Sequence, residues 1–557
     1  MKPMVAPPPA LGSPRVGIVD LIAQKPSRSL YARLMHPNFA SIMPQVVGVW
    51  AEELGCQVRY VTYTGFEDLE QELPDDIDIL FVAAFTPAAY LAYSISNLFR
   101  KRGVVTVLGG PHARAYSEDA LKYFDYVVGF TDKELIRDLL KGFSRHEGQG
   151  VWLSADHQPQ TLPGIRERWR FIRATLAKTW LVGAVPTIGS LGCPYQCSFC
   201  IDSQIDYQTL PYDQIRQDLR FLRAQLRRPI VAWHDPNFAV RFDDYMGIME
   251  EAVPPGDLRF AAESSLSLLG ESHLKRLARN GAGAIITGIE SWFDFNNKAK
   301  QGGRTGFDKV EAVAEQVNLI ARYIPYVQTN FVWGLDQDAG PEPFELTKRF
   351  LDLAPAAFPS HSLVAAYGDS SPLAVRLQRE GLVVDVPFQF LDTSSLHNVV
   401  LKNYSPGEFY RRLSDIVRYS YSPRANWRRF QRHRDGLVSG GRWMTLVRSA
   451  SSSRRARYYE DLQASCESDP QFSGFLAGET LPAPACLRQR IRADLGKFYD
   501  HLPVEVANHL ENEDVGRDPA LSPHLHDDRD PAEVLKEKVN QIREPALTAG
   551  EDSPASG

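Results

Sequence analysis

Short apolar runs rich in valine and isoleucine alternate with longer amphipathic stretches from residue 15 to about residue 140. The runs are typical of strands, at residues 16–19, 58–61, 79–82, 104–108 and 126–128. The stretches between them have the period of helices, at residues 45–54, 88–102 and 118–123. Strands that are apolar throughout are buried on both faces, as in a parallel sheet covered by helices. The pattern therefore predicts a doubly wound α/β domain over residues 15–140.

A second series of the same kind follows residues 141–184, a segment without clear periodicity that we interpret as a linker. The predicted strands of this series cover residues 187–190, 230–233, 258–262, 284–288, 327–333 and 363–367. Its predicted helices cover residues 212–226, 243–252, 271–279, 309–322 and 343–353. Six β/α units are fewer than the eight of a closed barrel, so we expect an open, partial barrel over residues 185–391. Its site is expected at the carboxyl ends of the strands.

The remaining segments differ in composition. Residues 392–510 have a mainly helical pattern and are predicted to form a C-terminal helical domain. Residues 1–14 are rich in proline, and residues 511–557 carry twelve acidic and five basic residues with almost no aromatics. Chains of that composition do not bury enough apolar surface to fold, so both ends are predicted to be disordered.

Composition narrows the function classes. The chain has 557 residues, of which 44% are hydrophobic and 23% charged, values typical of a globular protein with several domains. A small binding module is excluded. Six sparse cysteines do not make a disulfide framework, and no apolar run approaches the ~20 residues that cross a bilayer. We therefore expect a cytoplasmic protein in a reducing compartment.

Three of the six cysteines lie in one short loop after the first predicted barrel strand. Cys193, Cys197 and Cys200 form the pattern C-x3-C-x2-C. Three thiolates suit three corners of an iron–sulfur cube and leave its fourth iron open, which is typical of a catalytic site. A zinc loop completed by a distant ligand, or three buried thiols, fits the same residues. The position of the loop at the ligand-binding end of a barrel, and Phe199 just before the last cysteine, favour the cluster.

This motif, at the end of the first strand of a partial barrel, resembles the signature of the radical SAM superfamily. The resemblance implies a [4Fe-4S] cluster held by Cys193, Cys197 and Cys200, with S-adenosylmethionine (SAM) chelating the fourth iron beside Phe199. One-electron reduction then cleaves SAM to a 5′-deoxyadenosyl radical. The resemblance also implies an external one-electron donor of the flavodoxin or ferredoxin type. No side chain of the sequence is assigned a catalytic role.

Polar residues and a glycine follow the next three predicted strands. These are Asp235, Asn237, Glu263, Ser264, Gly288, Glu290 and Ser291. Taken singly, each polar residue is as easily a helix N-cap. Together, and with the G-I-E-S run at 288–291, they resemble the branch of the superfamily that has an N-terminal cobalamin-binding domain, which implies that they bind SAM. The turns at 333–336 and 367–372 depart from the pattern of that branch where substrate would bind.

The N-terminal α/β domain resembles the cobalamin-binding domain of the same branch. The resemblance implies cobalamin as a second cofactor, with its site at Thr86, Gly109, Gly110, Pro111 and Gly129. The paired glycines are equally consistent with a tight turn between a strand and a helix. The D-x-H-x-x-G motif that supplies a histidine below cobalt in many cobalamin proteins is absent, which leaves open a domain that keeps the fold without the cofactor.

A basic segment spans residues 402–459, with fourteen lysines and arginines against three acids. Such a segment attracts an anionic partner, either RNA or a membrane surface that carries a lipid substrate. The alternative is a solvated helical face whose arginines pair with acids elsewhere. The acidic tail, with a net charge of −7 within a chain total of −6, favours the alternative.

The main hypothesis is a cobalamin-dependent radical SAM enzyme that methylates, rearranges or cyclises a small molecule or lipid. One alternative is a radical SAM RNA-modifying enzyme, which needs a second cluster where the N-terminal domain offers only Cys56. The other is a zinc-stabilised α/β binding protein without catalysis. Nucleic acid is not an expected partner, whereas peripheral contact with a membrane remains open.

Overall fold

The computed structural model describes residues 13–511 apart from residues 28, 181, 294–302, 433–439 and 480–481. The segments predicted to be disordered, 1–14 and 511–557, lie almost entirely outside the described residues, so that prediction is not tested.

The first domain is a parallel sheet with helices on both faces. Its strands are β1 (Arg15–Leu21), β2 (Gln57–Tyr63), β3 (Ile79–Ala84), β4 (Val105–Gly109), β5 (Tyr126–Val128) and β6 (Val151–Leu153). Its helices are α1 (Leu30–Met35), α2 (Ile42–Glu53), α3 (Leu69–Glu72), α4 (Ala89–Arg100), α5 (Pro111–Ala115), α6 (Ser117–Ala120), α7 (Lys133–Gly142) and α8 (Ile165–Leu176). The strand order β2-β1-β3-β4-β5-β6 places the topological switch between β1 and β3.

The second sheet is an open barrel. Its strands, with a short hairpin after the first, are β7 (Ala184–Thr187), β8 (Ser190–Leu191), β9 (Gln208–Thr209), β10 (Ile230–Trp233), β11 (Arg259–Glu263), β12 (Ala282–Glu290), β13 (Tyr326–Trp333) and β14 (Phe358–Leu363). Six of them pair in parallel in the order β14-β13-β12-β11-β10-β7, while β8 and β9 form a separate antiparallel pair. The predicted fold class, with a doubly wound domain and a partial barrel, is confirmed.

Helices surround the barrel and form the C-terminal region. The barrel helices are α9 (Tyr212–Gln225), α10 (Phe242–Ala252), α11 (Glu271–Arg279), α12 (Gly306–Tyr323), α13 (Glu342–Leu353) and α14 (Pro372–Arg379). The C-terminal helices are α15 (Pro406–Ser420), α16 (Pro423–Arg432), α17 (Gly440–Ser468), α18 (Pro470–Leu476), α19 (Ala485–Leu495) and α20 (Val504–Glu511). Short 3₁₀ turns cover His36–Phe39, Thr86–Ala88, Phe238–Arg241, Leu266–Leu268, Phe388–Phe390 and Gly496–His501. No helix among the described residues is long and apolar enough to cross a bilayer.

The two domains share a hydrophobic core. One face of the first sheet packs against α2 and α7 in a core of its own, which includes Ile18, Trp50 and Ile136. The other face belongs to a core that runs through α4 into the barrel and the C-terminal helices, joining Val82 to Ile285. Burying both faces explains why the strands of the first domain are apolar throughout.

Two predicted elements lie elsewhere in the structure. The segment 141–184, interpreted as a linker, contains β6 and α8. The strand was missed because three residues are too few to show a period. The sixth barrel strand is Phe358–Leu363 rather than 363–367. Its polar residues and Pro359 hide the strand, and an edge strand tolerates both. The apolar residues after it are buried by α14 instead.

Candidate active site

The three predicted cluster ligands lie on one loop at the carboxyl end of β7. Cys193 and Cys197 are buried, Cys200 is half-buried, and none of the three forms a disulfide. The backbone N–H of Cys200 donates to the carbonyl oxygen of Cys197 at 3.0 Å, which turns the chain between them. The β8–β9 hairpin closes the base of the loop, with Ser190 opposite Thr209 and Leu191 opposite Gln208.

Gly192 is required where the loop leaves β8. Its φ is +68°, and a Cβ there would lie 2.5 Å from the carbonyl oxygens of Ile205 and Asp206. Only glycine accepts both conditions without strain. The two ends of the loop therefore meet directly beside Cys193.

Asp235, predicted to bind SAM, lies beneath this loop. Its buried carboxylate accepts hydrogen bonds from the backbone N–H of Gly189 at 2.7 Å, the hydroxyl of Ser190 at 2.5 Å and the hydroxyl of Tyr245 at 2.7 Å. Burial raises the pKa of Asp235, although these donors lower it. All three partners are protein groups, so the contacts of Asp235 position the start of the cysteine loop.

Asn237 and Ser264, also predicted at the SAM site, lie at the ends of neighbouring strands. The Asn237 amide donates to the hydroxyl of Ser265 at 2.7 Å and accepts from its backbone N–H at 3.1 Å. The backbone N–H of Ser264 donates to the carbonyl oxygen of Ile286 at 2.9 Å. These bonds lock the strand ends together, while the side chain of Glu263 is exposed.

The G-I-E-S run ends β12 with a bulge. Register with β13 shifts between Gly288 and Glu290, and Glu290 has a φ of +64°, which is unfavourable for any residue but glycine. The Glu290 carboxylate folds back over Gly288, where a Cβ would collide with it. Below the bulge, the buried Lys309 donates to the carbonyl oxygen of Ser291 at 2.6 Å. Non-glycine residues held in such a conformation cluster at functional sites.

A row of polar side chains on the inner face of the barrel has no counterpart in the sequence prediction. Asn330 of β13 lies in register between Gly288 and Ser360, and the amide of Gln328 donates to Asn330 at 2.9 Å. On the opposite face, Phe331 packs against Phe350 of α13. The signal was the alternation of polar and apolar residues along 327–333 and 358–363.

Phe199 joins the cysteine loop to the end of the barrel. Its ring packs partly buried against an apolar cluster that includes Leu373 of α14. The backbone N–H of Leu373 donates to the carbonyl oxygen of Ser198 at 2.9 Å. The loop is therefore fixed from both edges of the barrel, by Asp235 and by α14.

The predicted cobalamin residues Gly109 and Gly110 differ in their surroundings. Gly110 has a φ of +95°, and a Cβ there would lie 2.8 Å from the carbonyl oxygen of Ala84. The turn between β4 and α5 therefore needs a glycine at 110, which agrees with the alternative interpretation of the paired glycines as a tight turn. A Cβ on Gly109 would meet no atom within 4 Å, so Gly109 borders open space at the end of β4.

The other predicted cobalamin residues surround the same edge of the first sheet. Thr86 is buried in the 3₁₀ turn after β3, and Pro111 is the first residue of α5. A Cβ on Gly129 would lie 2.7 Å from the ring of Trp152 in β6, so packing within the domain accounts for this glycine. Phe85, which sequence analysis missed, is exposed directly beside Thr86.

His112 follows this turn and makes contacts inside the domain. Its Nε2 lies 2.7 Å from the hydroxyl of Tyr93, which donates to Asp119 at 2.7 Å. Burial lowers the pKa of His112 to about 3, so the imidazole is neutral. These contacts agree with the structural role inferred from sequence.

The carboxyl edge of the first sheet contacts the carboxyl end of the barrel. At one edge of the barrel, the side-chain amide of Gln158, after β6, donates to the carbonyl oxygen of Asp206, between β8 and β9, at 3.1 Å. At the other edge of the barrel, the carbonyl oxygen of Ala115 touches Gly368, after β14, so closely that a Cβ on Gly368 would collide with it. The carboxyl ends of the two sheets therefore meet, at the ends that carry the two predicted sites.

Three thiolates on one loop are the donors that an iron–sulfur cluster takes. Within the described residues, no group of three or more His, Cys, Asp and Glu side chains is spaced to hold one ion. Three thiolates that bind three different irons of a cube stand farther apart than three that share one zinc ion. The three cysteines are available as cluster ligands, since none of them forms a disulfide.

No protein-family model matches the chain. Among curated proteins, the chain is similar to bacteriochlorophyllide d C-12(1)-methyltransferase of Chlorobaculum tepidum, at 23% identity over 53% of this chain and 65% of that protein. Bacteriochlorophyllide d C-8(2)-methyltransferase of the same organism is 25% identical over 39% of this chain and 50% of its own length. Hopanoid C-2 methylase of Rhodopseudomonas palustris is 27% identical over 63% and 67%. The chain thus spans less than two thirds of the length of the two bacteriochlorophyllide methyltransferases.

Solved structures decide the fold. The radical SAM methyltransferase TsrM from Kitasatospora setae, solved with cobalamin and a [4Fe-4S] cluster, superposes with a TM-score of 0.50 over 82% of this chain and all of that one, at 14% identity. The cobalamin-dependent SAM radical enzyme OxsB gives a TM-score of 0.53 over 95% of this chain and 84% of that one, at 13% identity. The fold is that of the cobalamin-dependent radical SAM enzymes. The resemblance drawn from the cysteine motif is confirmed, and in this radical SAM fold the loop at Cys193 to Cys200 ends the first barrel strand.

Proposed function

We propose that this chain is a cobalamin-dependent radical SAM methylase. The observation that carries the proposal is the three-cysteine loop at the carboxyl end of β7, on the end of the barrel that contacts the carboxyl edge of a doubly wound domain. When bound, the [4Fe-4S] cluster with SAM supplies a 5′-deoxyadenosyl radical, and cobalamin supplies a methyl group. Methylation is favoured over cyclisation because the curated relatives are methyltransferases and a methylase.

The residues of the chain have separate tasks in this proposal. Cys193, Cys197 and Cys200 hold the cluster, while Asp235 positions their loop through Gly189 and Ser190. The remaining SAM residues predicted from sequence stay proposals, with Asn330 and Ser360 added because they share a row with Gly288.

Cobalamin would occupy the carboxyl edge of the first sheet near its topological switch. Gly109 leaves the backbone open to a bulky ligand, and the exposed ring of Phe85 offers an apolar surface next to it. At Gly368 the two domains pack so closely that no side chain fits between them.

The proposed substrate is an apolar small molecule or a lipid. The relatives are named as methylating a bacteriochlorophyllide and hopanoids. In this chain, the inner face of the barrel presents few charged side chains besides Glu263 and Glu290. An external one-electron donor of the flavodoxin or ferredoxin type completes the proposal. No observation favours the RNA-modifying enzyme, since Cys56 is buried and burial raises the pKa of its thiol.

Anaerobic reconstitution with iron and sulfide tests the proposal. We expect about four irons per chain and reductive cleavage of SAM to 5′-deoxyadenosine. Cys197→Ala should lose cluster and cleavage, whereas Cys486→Ala, outside the loop, should keep both. Cleavage that survives Cys197→Ala would refute the proposal. Retention of hydroxocobalamin by the full chain, read from its absorption spectrum, tests the second cofactor separately.

A further inference from the structure

Most of the exposed large hydrophobic side chains among the described residues lie at the amino-terminal end of the barrel, opposite the cysteine loop. Nine such side chains are exposed, and six of them, with exposed fractions of 39% to 68%, belong to segments that touch this end. The six are Tyr31, Phe39, Trp180, Val182, Trp427 and Leu446. We call them, with the arginines named below, the basal surface.

Contacts of the N-terminal half tie the first four of these side chains to the barrel. The hydrogen bond between Asn38 and the backbone N–H of Ala184 brings Phe39 to the start of β7. Trp180 and Val182 immediately precede that strand. Tyr31 interacts electrostatically with Tyr326, the first residue of β13, and with Arg448 of α17.

Two arginines, Arg429 buried and Arg448 half-buried, place α16 and α17 at the same end. Arg429 donates to the carbonyl oxygen of Ala357, just before β14, at 2.8 Å. Arg448 donates to the carbonyl oxygen of Pro359 at 3.0 Å. Held in this way, α16 and α17 leave Trp427 exposed on the first helix and Leu446 on the second.

The basic segment predicted from sequence divides into two groups of arginines. Some bases follow the solvated-face alternative, since Arg412, Arg418 and Arg428 form ion pairs with acids. Five exposed arginines next to the hydrophobic side chains form no ion pair with any acid that the structure describes. The five are Arg33, Arg227, Arg228, Arg424 and Arg432. The last two lie on α16 with Trp427, and Arg227 and Arg228 lie one proline before β10.

We infer that the basal surface is a peripheral docking site for an anionic lipid bilayer. Exposed aromatic and aliphatic side chains among unpaired arginines are the combination that binds at the boundary between headgroups and acyl chains. Each arginine near an anionic membrane strengthens binding roughly fivefold. Nucleic acid would stack on the aromatic rings but gains nothing from Val182 and Leu446, so the bilayer fits the surface better.

Flotation of the full chain with vesicles tests this inference. We expect co-flotation with vesicles of phosphatidylcholine and phosphatidylglycerol, weak binding to phosphatidylcholine alone, and release by high salt. Trp427→Glu and Phe39→Glu should each weaken binding to anionic vesicles about tenfold. Arg424→Glu should weaken it by fivefold or more, with little effect on the neutral vesicles.

Val504→Glu is the matched control, because Val504 is equally exposed but lies on α20, away from the barrel end. This variant should bind anionic vesicles like the unchanged protein. The inference is overturned if no vesicle is bound at low salt, or if Trp427→Glu binds as well as Val504→Glu. It is also overturned if light scattering shows a dimer that Trp427→Glu dissociates. The same holds if the protein binds RNA and does not bind vesicles. Since flotation needs no turnover, its failure is distinct from failure of the proposed methylase activity.

Discussion

Glu290 keeps an unfavourable backbone conformation at the centre of the proposed SAM site. With Arg228 and Thr393, it is one of three described residues other than glycine with positive φ. Glycine adopts this conformation without cost, and a protein that retains glutamate there forgoes about 1 kcal/mol of stability. The bulge aims the carboxylate back over Gly288, so the strain holds a charged group at the end of the strand.

Replacing Glu290 separates strain from function. The free energy of unfolding of Glu290→Gly should equal that of the unchanged protein or exceed it by up to about 1 kcal/mol, because the backbone strain is relieved. Glu290→Ala keeps the strain and should be less stable than Glu290→Gly. Both variants should lose SAM affinity, measured by equilibrium dialysis on the reconstituted protein. Unchanged SAM binding in both would remove Glu290 from the site.

The two glycines after β4 form a matched pair. Gly110→Ala combines positive φ with a contact at 2.8 Å to Ala84, so the free energy of unfolding should fall by about 1–3 kcal/mol. Gly109→Ala points a methyl group into open space, so its stability should be unchanged while hydroxocobalamin retention falls. Denaturant unfolding and cobalamin absorption check the pair. Equal retention of cobalamin by Gly109→Ala and the unchanged protein would place the ligand elsewhere.

Among the elements, the turn between β13 and α13 is built around a buried acid. The carboxylate of Asp338 accepts from the backbone N–H groups of Gly334 at 3.1 Å and Leu335 at 3.2 Å. Burial outweighs these bonds and raises the pKa of Asp338 from 3.8 to about 7. This turn is one of the two that depart from the pattern of the cobalamin-domain branch.

Asp338 should make stability depend on pH. In the folded chain the Asp338 carboxyl group keeps its proton up to about pH 7, whereas in the unfolded chain the same group ionises near its ordinary pKa of 3.8. The contribution of Asp338 is therefore complete below about pH 4 and is lost as pH rises through 7. Asp338→Asn keeps one oxygen acceptor and does not titrate, so the stability of wild type relative to this variant should fall from pH 4 to pH 8. Denaturant unfolding at several pH values checks this, and a constant difference would contradict it.

The sequence predicted strands best where both of their faces are buried. Strands such as 79–84 are buried on both faces, so their apolar runs are not interrupted by polar residues. The neighbouring helices end at glycines, which marks their ends in the sequence. The strand 358–363 was misplaced because its inner residues, Ser360 and Ser362, face the polar interior of the barrel. Amphipathic edge strands depend on partners distant in sequence, which no local pattern contains.

At the scale of the whole molecule, the proposed chemistry depends on how the two domains meet. Gly368 has a φ of +45° and no room for a side chain against Ala115. Tyr116, next to Ala115, packs against Phe388 at a centroid distance of 4.7 Å. This contact ties the two carboxyl ends together on one side, and the hydrogen bond from Gln158 to Asp206 ties them on the other.

A side chain at Gly368 should uncouple the domains. Gly368→Val should retain about four irons and SAM cleavage, because the cysteine loop is intact, but should lose methyl transfer. Gly340→Ala is the control, since Gly340 also has positive φ, at +56°, but a Cβ there meets nothing within 4 Å. Iron content, 5′-deoxyadenosine and methylated product are measured on the same preparation. Methyl transfer by Gly368→Val at the wild-type rate would show that the contact is not needed.

The site was predicted in part. The spacing of three cysteines is local and carries its own chemistry, so Cys193, Cys197 and Cys200 stood out directly. The role of Asp235 did not, because its partners Gly189 and Tyr245 become neighbours only when β7 and β10 pair. Asn330 was missed for the same reason, since its place beside Gly288 depends on strand register.

The β8–β9 hairpin closes the cysteine loop with only two residue pairs. So few backbone hydrogen bonds open at small cost, whereas the six-stranded sheet beneath requires much of the fold to open. We therefore expect a chain that has folded without metal to admit iron and sulfide still, so that cluster insertion follows folding. In hydrogen exchange the loop of the apoprotein should be the first part of the barrel to take up deuterium.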